Sequence, residues 1–177
     1  SSSSAASDVY KRQQIVGAVE VRGVLEGLAA RLLAERGANE AVLQTLKLCL
    51  REGDALLEKG GFTEADAPLY LDLNIRFHAA IIEASGNAAI QEALSRNDHL
   101  PFASVKALAI DRNNLAAEYK RLNYAHMQHH DIVEAIAAGQ GARAEALMRE
   151  HANAVLRYTE LDPAREGVAI LRSGQFS

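Results

Sequence analysis

The spacing of apolar positions follows the period of an α-helix through most of the chain. Between Val16 and Arg36, the residues Val21, Val24, Leu25, Leu28, Leu32 and Leu33 recur at three- and four-residue intervals. That spacing predicts a helix with these side chains buried and Gly37 as its stop. Asn39 is a suitable N-cap for a second helix carrying Val42, Leu43, Leu46, Cys49, Leu50, Leu56 and Leu57. Gly53 in its interior is expected to weaken or bend it.

A third helix is expected to begin between Thr63 and Pro68 and to reach Ala84, with the stripe Leu71, Asn74, Ile75, His78, Ile81 and Ile82. A fourth starts near Ala88 with Ile90 and Leu94, breaks between Asn97 and Pro101, and is expected to resume through Val105 and Leu108. The fifth runs from about Asn113 to Ala138. Gly139-Gln140-Gly141 then turns the chain into a sixth, from Ala142 to about Leu161, whose inward stripe is Ala144, Leu147, Met148, His151, Val155 and Tyr158. No repeat and no alternating strand pattern is evident. The expected fold is therefore all-α, an antiparallel bundle of six to seven helices over residues 15–161. Residues 162–177 read as a tail without period.

Composition narrows the class. Three prolines and no tryptophan in 177 residues leave long stretches without a helix breaker. A net charge of -4 argues against this segment being a nucleic-acid binder by itself. The single cysteine, Cys49, excludes an intramolecular disulfide and lies in an apolar stripe, where it reads as a small core residue. No run of 18 apolar residues and no signal peptide is found, so the expectation is a cytoplasmic protein without a membrane partner. Residues 1–14, beginning SSSSAASDVYKRQ, read as a serine-rich adapter outside the fold, with the natural protein continuing upstream.

Three histidines change the picture. His78, His129 and His151 each fall in the apolar stripe of a different helix. On helix five, Leu115, Leu122, His129 and Ile136 share nearly one line; His126 shares part of that face and His130 is turned toward the rim. Asn74 precedes His78 by four residues, so both project from one face. Buried imidazoles need partners, and three of them in one interior suit a divalent metal; three imidazoles with an amide or water favour zinc or nickel. A hydrogen-bonded polar cavity without metal satisfies the same pattern.

These residues also resemble a known family. The stretches LDLNIRFHAAIIEASGN (Leu71 to Asn87), HDIVEAIAAGQGARAEALMREH (His130 to His151, with His129 just before it) and VRGVLEGLAARLLAERG (Val21 to Gly37) are similar to the signature segments of the FCD domain. This is the C-terminal ligand-binding domain of FadR-subfamily, GntR-type bacterial transcription regulators. The resemblance implies a helical bundle around a central cavity that binds a small organic acid, often through a metal held by an Asp or Asn and three histidines. By matching motif those ligands are Asn74, His78, His129 and His151. It also implies a dimer, and operator DNA bound through an N-terminal winged-helix domain that this chain lacks. Asn74 stands where Asp is more frequent, and His99-Leu100-Pro101-Phe102 interrupts an often continuous helix. For the effector carboxylate, Arg22, Arg112 and His126 are candidates by location.

Two other classes compete. A metallohydrolase or di-iron oxidase needs a general base beside the metal or paired Glu-x-x-His motifs, and no carboxylate is seen on the stripes near His129 or His151. A metal-free interaction module would use the histidines only for packing.

Overall fold

A computed structural model describes residues 2–99, 104–157 and 167–174. Six helices account for most of them: α1 (Ser2–Arg36), α2 (Glu40–Leu57), α3 (Asp66–Ala84), α4 (Ala88–Ser95), α5 (Leu115–Ala137) and α6 (Gly141–Arg157). Two strands, β1 (Ala107–Asp111) and β2 (Val168–Arg172), complete the order, β1 lying between α4 and α5 and β2 after α6. The all-α expectation holds for the body of the molecule. Leu100, Pro101, Phe102 and the expected end of helix six from Tyr158 to Leu161 lie outside the described residues, as does the side chain of Val155.

Asparagines set three helix starts. Asn39 accepts from Val42 N at 3.0 Å, Asn87 from Ala89 N at 3.2 Å and Asn114 from Ala117 N at 3.2 Å. Each side chain satisfies a backbone donor that has no partner within its own helix. At α3 the work is done from inside the first turn, where Asp66 accepts from both the backbone N (2.8 Å) and the hydroxyl (2.7 Å) of Thr63.

Helix α1 departs from expectation in two ways. It begins at Ser2, well before Val16. It also turns a different face inward: Val21, Val24 and Leu28 are exposed, while Val19, Arg22, Glu26, Ala29, Ala30, Leu33 and Ala34 are buried. The reason is its partner. α1 packs most extensively on α6, and the two helices approach closely over small residues. A Cβ added at Gly27 would lie 2.9 Å from Arg149 Cγ and 3.1 Å from Glu145 O. Large aliphatic side chains do not fit that seam, so Val21, Val24 and Leu28 are left outside it.

The second departure is the sheet. The segment expected to resume helix four instead forms β1, and part of the tail read as lacking period forms β2. They pair antiparallel from Ala107↔Arg172 to Asp111↔Val168. Leu108 and Ile110 of β1 join Leu57, Phe62, Tyr70, Leu71 and Leu122 in one apolar cluster at an end of the bundle. The larger cluster contains Leu46, Cys49, Phe77, Ile81, Ile132, Ile136 and Met148. Cys49 is a buried packing residue as expected, its thiol pushed up by burial. Among the described residues no helix is long and apolar enough to cross a membrane.

Candidate metal and effector site

α3, α5 and α6 bring His78, His129 and His151 together between the two apolar clusters. All three are buried, His78 and His129 completely. One ring nitrogen from each lies within 4.8 Å of the others. His129 Nε2 and His151 Nε2 are 3.1 Å apart, and the rings of His78 and His151 stack with centroids 5.3 Å apart. Phe77, beside His78 in sequence, stacks on His129 at 4.1 Å. The helical stripes therefore converge as the spacing predicts.

The protonation states follow from the surroundings. Burial, reinforced by neighbouring imidazoles, holds the pKa of His129 and of His151 well below the ordinary value. Both rings are therefore neutral near pH 7, the form that ligates a metal. Gln128 Oε1 lies 3.1 Å from His151 Nδ1. An amide oxygen only accepts, so the proton sits on Nδ1 and the His151 Nε2 lone pair faces the cluster.

His78 Nδ1 and Nε2 and His129 Nδ1 are buried without an aligned hydrogen bond among the described residues. Buried polar atoms without partners are expensive. A tetrahedral ion with bonds of about 2.0–2.1 Å separates its ligand atoms by about 3.3–3.4 Å. The residues present fit such an ion: neutral imidazoles at His129 and His151, one lone pair already aimed inward, and a His78 Nε2 with no hydrogen bond among the described residues. Asn74 is half-buried one turn before His78.

Glu26 is the residue that sequence reading passed over. It is 2% exposed on α1, with Oε2 2.9 Å from His78 Nδ1 and Oε1 3.0 Å from Arg22 Nε. Burial alone would raise its pKa, but Arg22 and His78 outweigh that and hold the carboxyl well below its usual range. The stripes near His129 and His151 carry no carboxylate of their own, but α1 brings one to the third histidine, His78. The signal was present as an i, i+4 Arg–Glu pair. It was obscured because α1 was assigned the wrong inward face; Arg22, a candidate by location, is buried on the same face as Glu26.

Glu26 also lines a cavity of about 150 Å³ whose wall includes Ile75, Ala79, Ile82, Ser104 and Lys106. A space of that size holds a molecule of a few heavy atoms. The remaining candidates lie elsewhere. Arg112 is exposed and pairs with Glu64 at 3.1 Å. His126 is buried and bonded to Asp54 rather than to the three-histidine cluster. His99 is exposed.

The FCD-domain family model matches residues 18–154. The chain belongs to the FCD-domain family. The matched span contains all three histidines, Asn74, Arg22 and Glu26. A relative with the same character is the HTH-type transcriptional regulator LutR of Bacillus subtilis (strain 168), 30% identical over 143 residues, or 81% of this chain and 61% of LutR. The chain thus spans about three fifths of the length of that relative. An FCD domain is the regulatory, effector-binding part of GntR-type regulators and not an enzyme family.

Proposed function

We propose that this FCD domain senses a small organic acid through a divalent metal, zinc or nickel, held by His78, His129 and His151 with Asn74 as a weaker oxygen ligand. The convergence of three buried imidazoles with unpartnered nitrogens carries this reading. Charge supports it. The imidazoles of His129 and His151 are neutral, and Arg22 is offset by Glu26, so the protein itself offers an anion no net positive charge. A divalent ion supplies that charge, and Arg22 and Glu26 orient what binds beside it. The metal would polarise the bound carboxylate when present; the chain's own residues shape the cavity and exclude water.

Occupancy of the site ties α1, α3, α5 and α6 together. In a regulator carrying an N-terminal DNA-binding domain, as the resemblance to LutR suggests, a shift of these helices changes how two such domains meet operator DNA. The exposed Val21, Val24 and Leu28 stripe on α1 supports pairing with a second copy. A metal-free polar core is the second reading, favoured by the His129–His151, His151–Gln128 and His78–Glu26 contacts, but it leaves His78 Nε2 and His129 Nδ1 without a hydrogen bond among the described residues.

A thermal-shift screen of small mono- and dicarboxylates, run before and after treatment with a chelator, tests the proposal. A carboxylate that raises Tm only in the metal-loaded protein, and not in His151→Ala, is expected. Shifts that are indifferent to chelator and to that substitution contradict it.

A further inference from the structure

A second cluster lies where α2 crosses α5. Asp54 Oδ1 is 3.0 Å from His126 Nε2 and 2.8 Å from His130 Nε2, so one carboxylate oxygen faces two ring nitrogens. His126 and His130 are four residues apart and project from one face of α5. One ligand atom from each of the three residues lies within 4.8 Å of the others. We propose that Asp54, His126 and His130 form a second divalent-metal site, independent of the three-histidine cluster, with positions open to water.

Three observations support it. First, the ligand set of two imidazoles and a carboxylate is one that zinc and its transition-metal neighbours take with open positions. Second, the cluster grades from inside to outside. His126 is 2% exposed, whereas Asp54 and His130 side chains are 37% and 36% exposed, which leaves an entry path and room for water ligands. Third, the backbone is cut to fit the inner ring. A Cβ at Gly53 would lie 2.6 Å and 2.7 Å from the two His126 ring nitrogens. The absence of a side chain there lets the imidazole lie against α2 with Nε2 on Asp54.

The tautomers favour a cation as well. If His126 only donates Nε2–H to Asp54, its Nδ1 is a bare acceptor buried without an aligned hydrogen bond among the described residues. With a metal on Nε2 the proton moves to Nδ1, and neither ring nitrogen is left as a bare acceptor.

The test is zinc stoichiometry on the whole chain, read by calorimetric titration with Zn²⁺ and by native mass spectrometry after stripping with chelator. Wild type is expected to bind two equivalents. His130→Ala and Asp54→Asn, both at half-exposed positions outside the core, each lose one equivalent and keep the other. His151→Ala loses the other equivalent and keeps the Asp54 site, so failure of the two sites is read separately. Cobalt loaded at this site in the His151→Ala background gives a visible d–d band that disappears on adding Asp54→Asn. Unchanged zinc stoichiometry in both Asp54→Asn and His130→Ala overturns the proposal, whatever happens at the three-histidine cluster.

Discussion

Gly53→Ala runs against the usual effect of that change. In a helix interior, alanine in place of glycine is worth about 1 kcal/mol of stability. Here the added methyl would stand 2.6 Å and 2.7 Å from the His126 ring nitrogens, inside van der Waals contact. His126 is buried and tied to Asp54 at 3.0 Å, so it cannot yield freely. If the ring stays, overpacking costs about 1–3 kcal/mol. If it swings away, a hydrogen bond to a charged group worth about 1.5–3 kcal/mol is lost. Less the helix gain, the first route leaves a net destabilisation of about 0–2 kcal/mol and the second about 0.5–2 kcal/mol, which lowers Tm by up to roughly 8 °C for a chain of this size. Urea and thermal unfolding read it directly. In a His126→Ala background the obstacle is gone, and the same glycine substitution is expected to stabilise by up to about 1 kcal/mol, a coupling that a double-mutant cycle measures. A Gly53→Ala protein stabilised by the ~1 kcal/mol usual for that change refutes the reasoning.

Other consequences follow from the same contacts. Asp66→Ala removes the acceptor for the Thr63 backbone and hydroxyl at the start of α3 and is expected to cost about 1–2 kcal/mol in denaturant unfolding. The metal-free protein is expected to lose stability as pH falls below about 6.5, because the unfolded chain then binds protons that His129 and His151, with folded pKa values depressed by burial, refuse. Each such proton steepens the dependence by up to about 1.4 kcal/mol per pH unit; pH-independent stability between 7 and 5 after chelation contradicts this. Gln128→Ala frees the His151 tautomer and is expected to weaken metal binding by about 10–100-fold with little change in fold, read by competition with a chromogenic chelator.

The parts of the fold legible in the sequence were those set by local rules. The Asn39 cap, the helical stripes of α3 and α5 and the inward direction of His78, His129 and His151 all depend on residues within a few positions of one another. Features set by distant partners were not legible. β1 offers only Ala107, Leu108, Ala109 and Ile110 as an apolar run, too short for period to separate strand from helix, and its partner strand starts at Val168. The inward face of α1 is chosen by how closely α6, far away in sequence, approaches Gly27. That misassignment hid Glu26. Gly53 carried the same lesson: read as a weak point in α2, it is the space that the His126 ring requires.

Anomalous diffraction at the zinc edge, on crystals of the chain grown with Zn²⁺, tests the central claim most directly. The account predicts a peak bonded to ring nitrogens of His78, His129 and His151 at about 2.0–2.1 Å. A protein in which those three imidazoles carry no peak at saturating zinc, and contact only one another and Gln128, would contradict it.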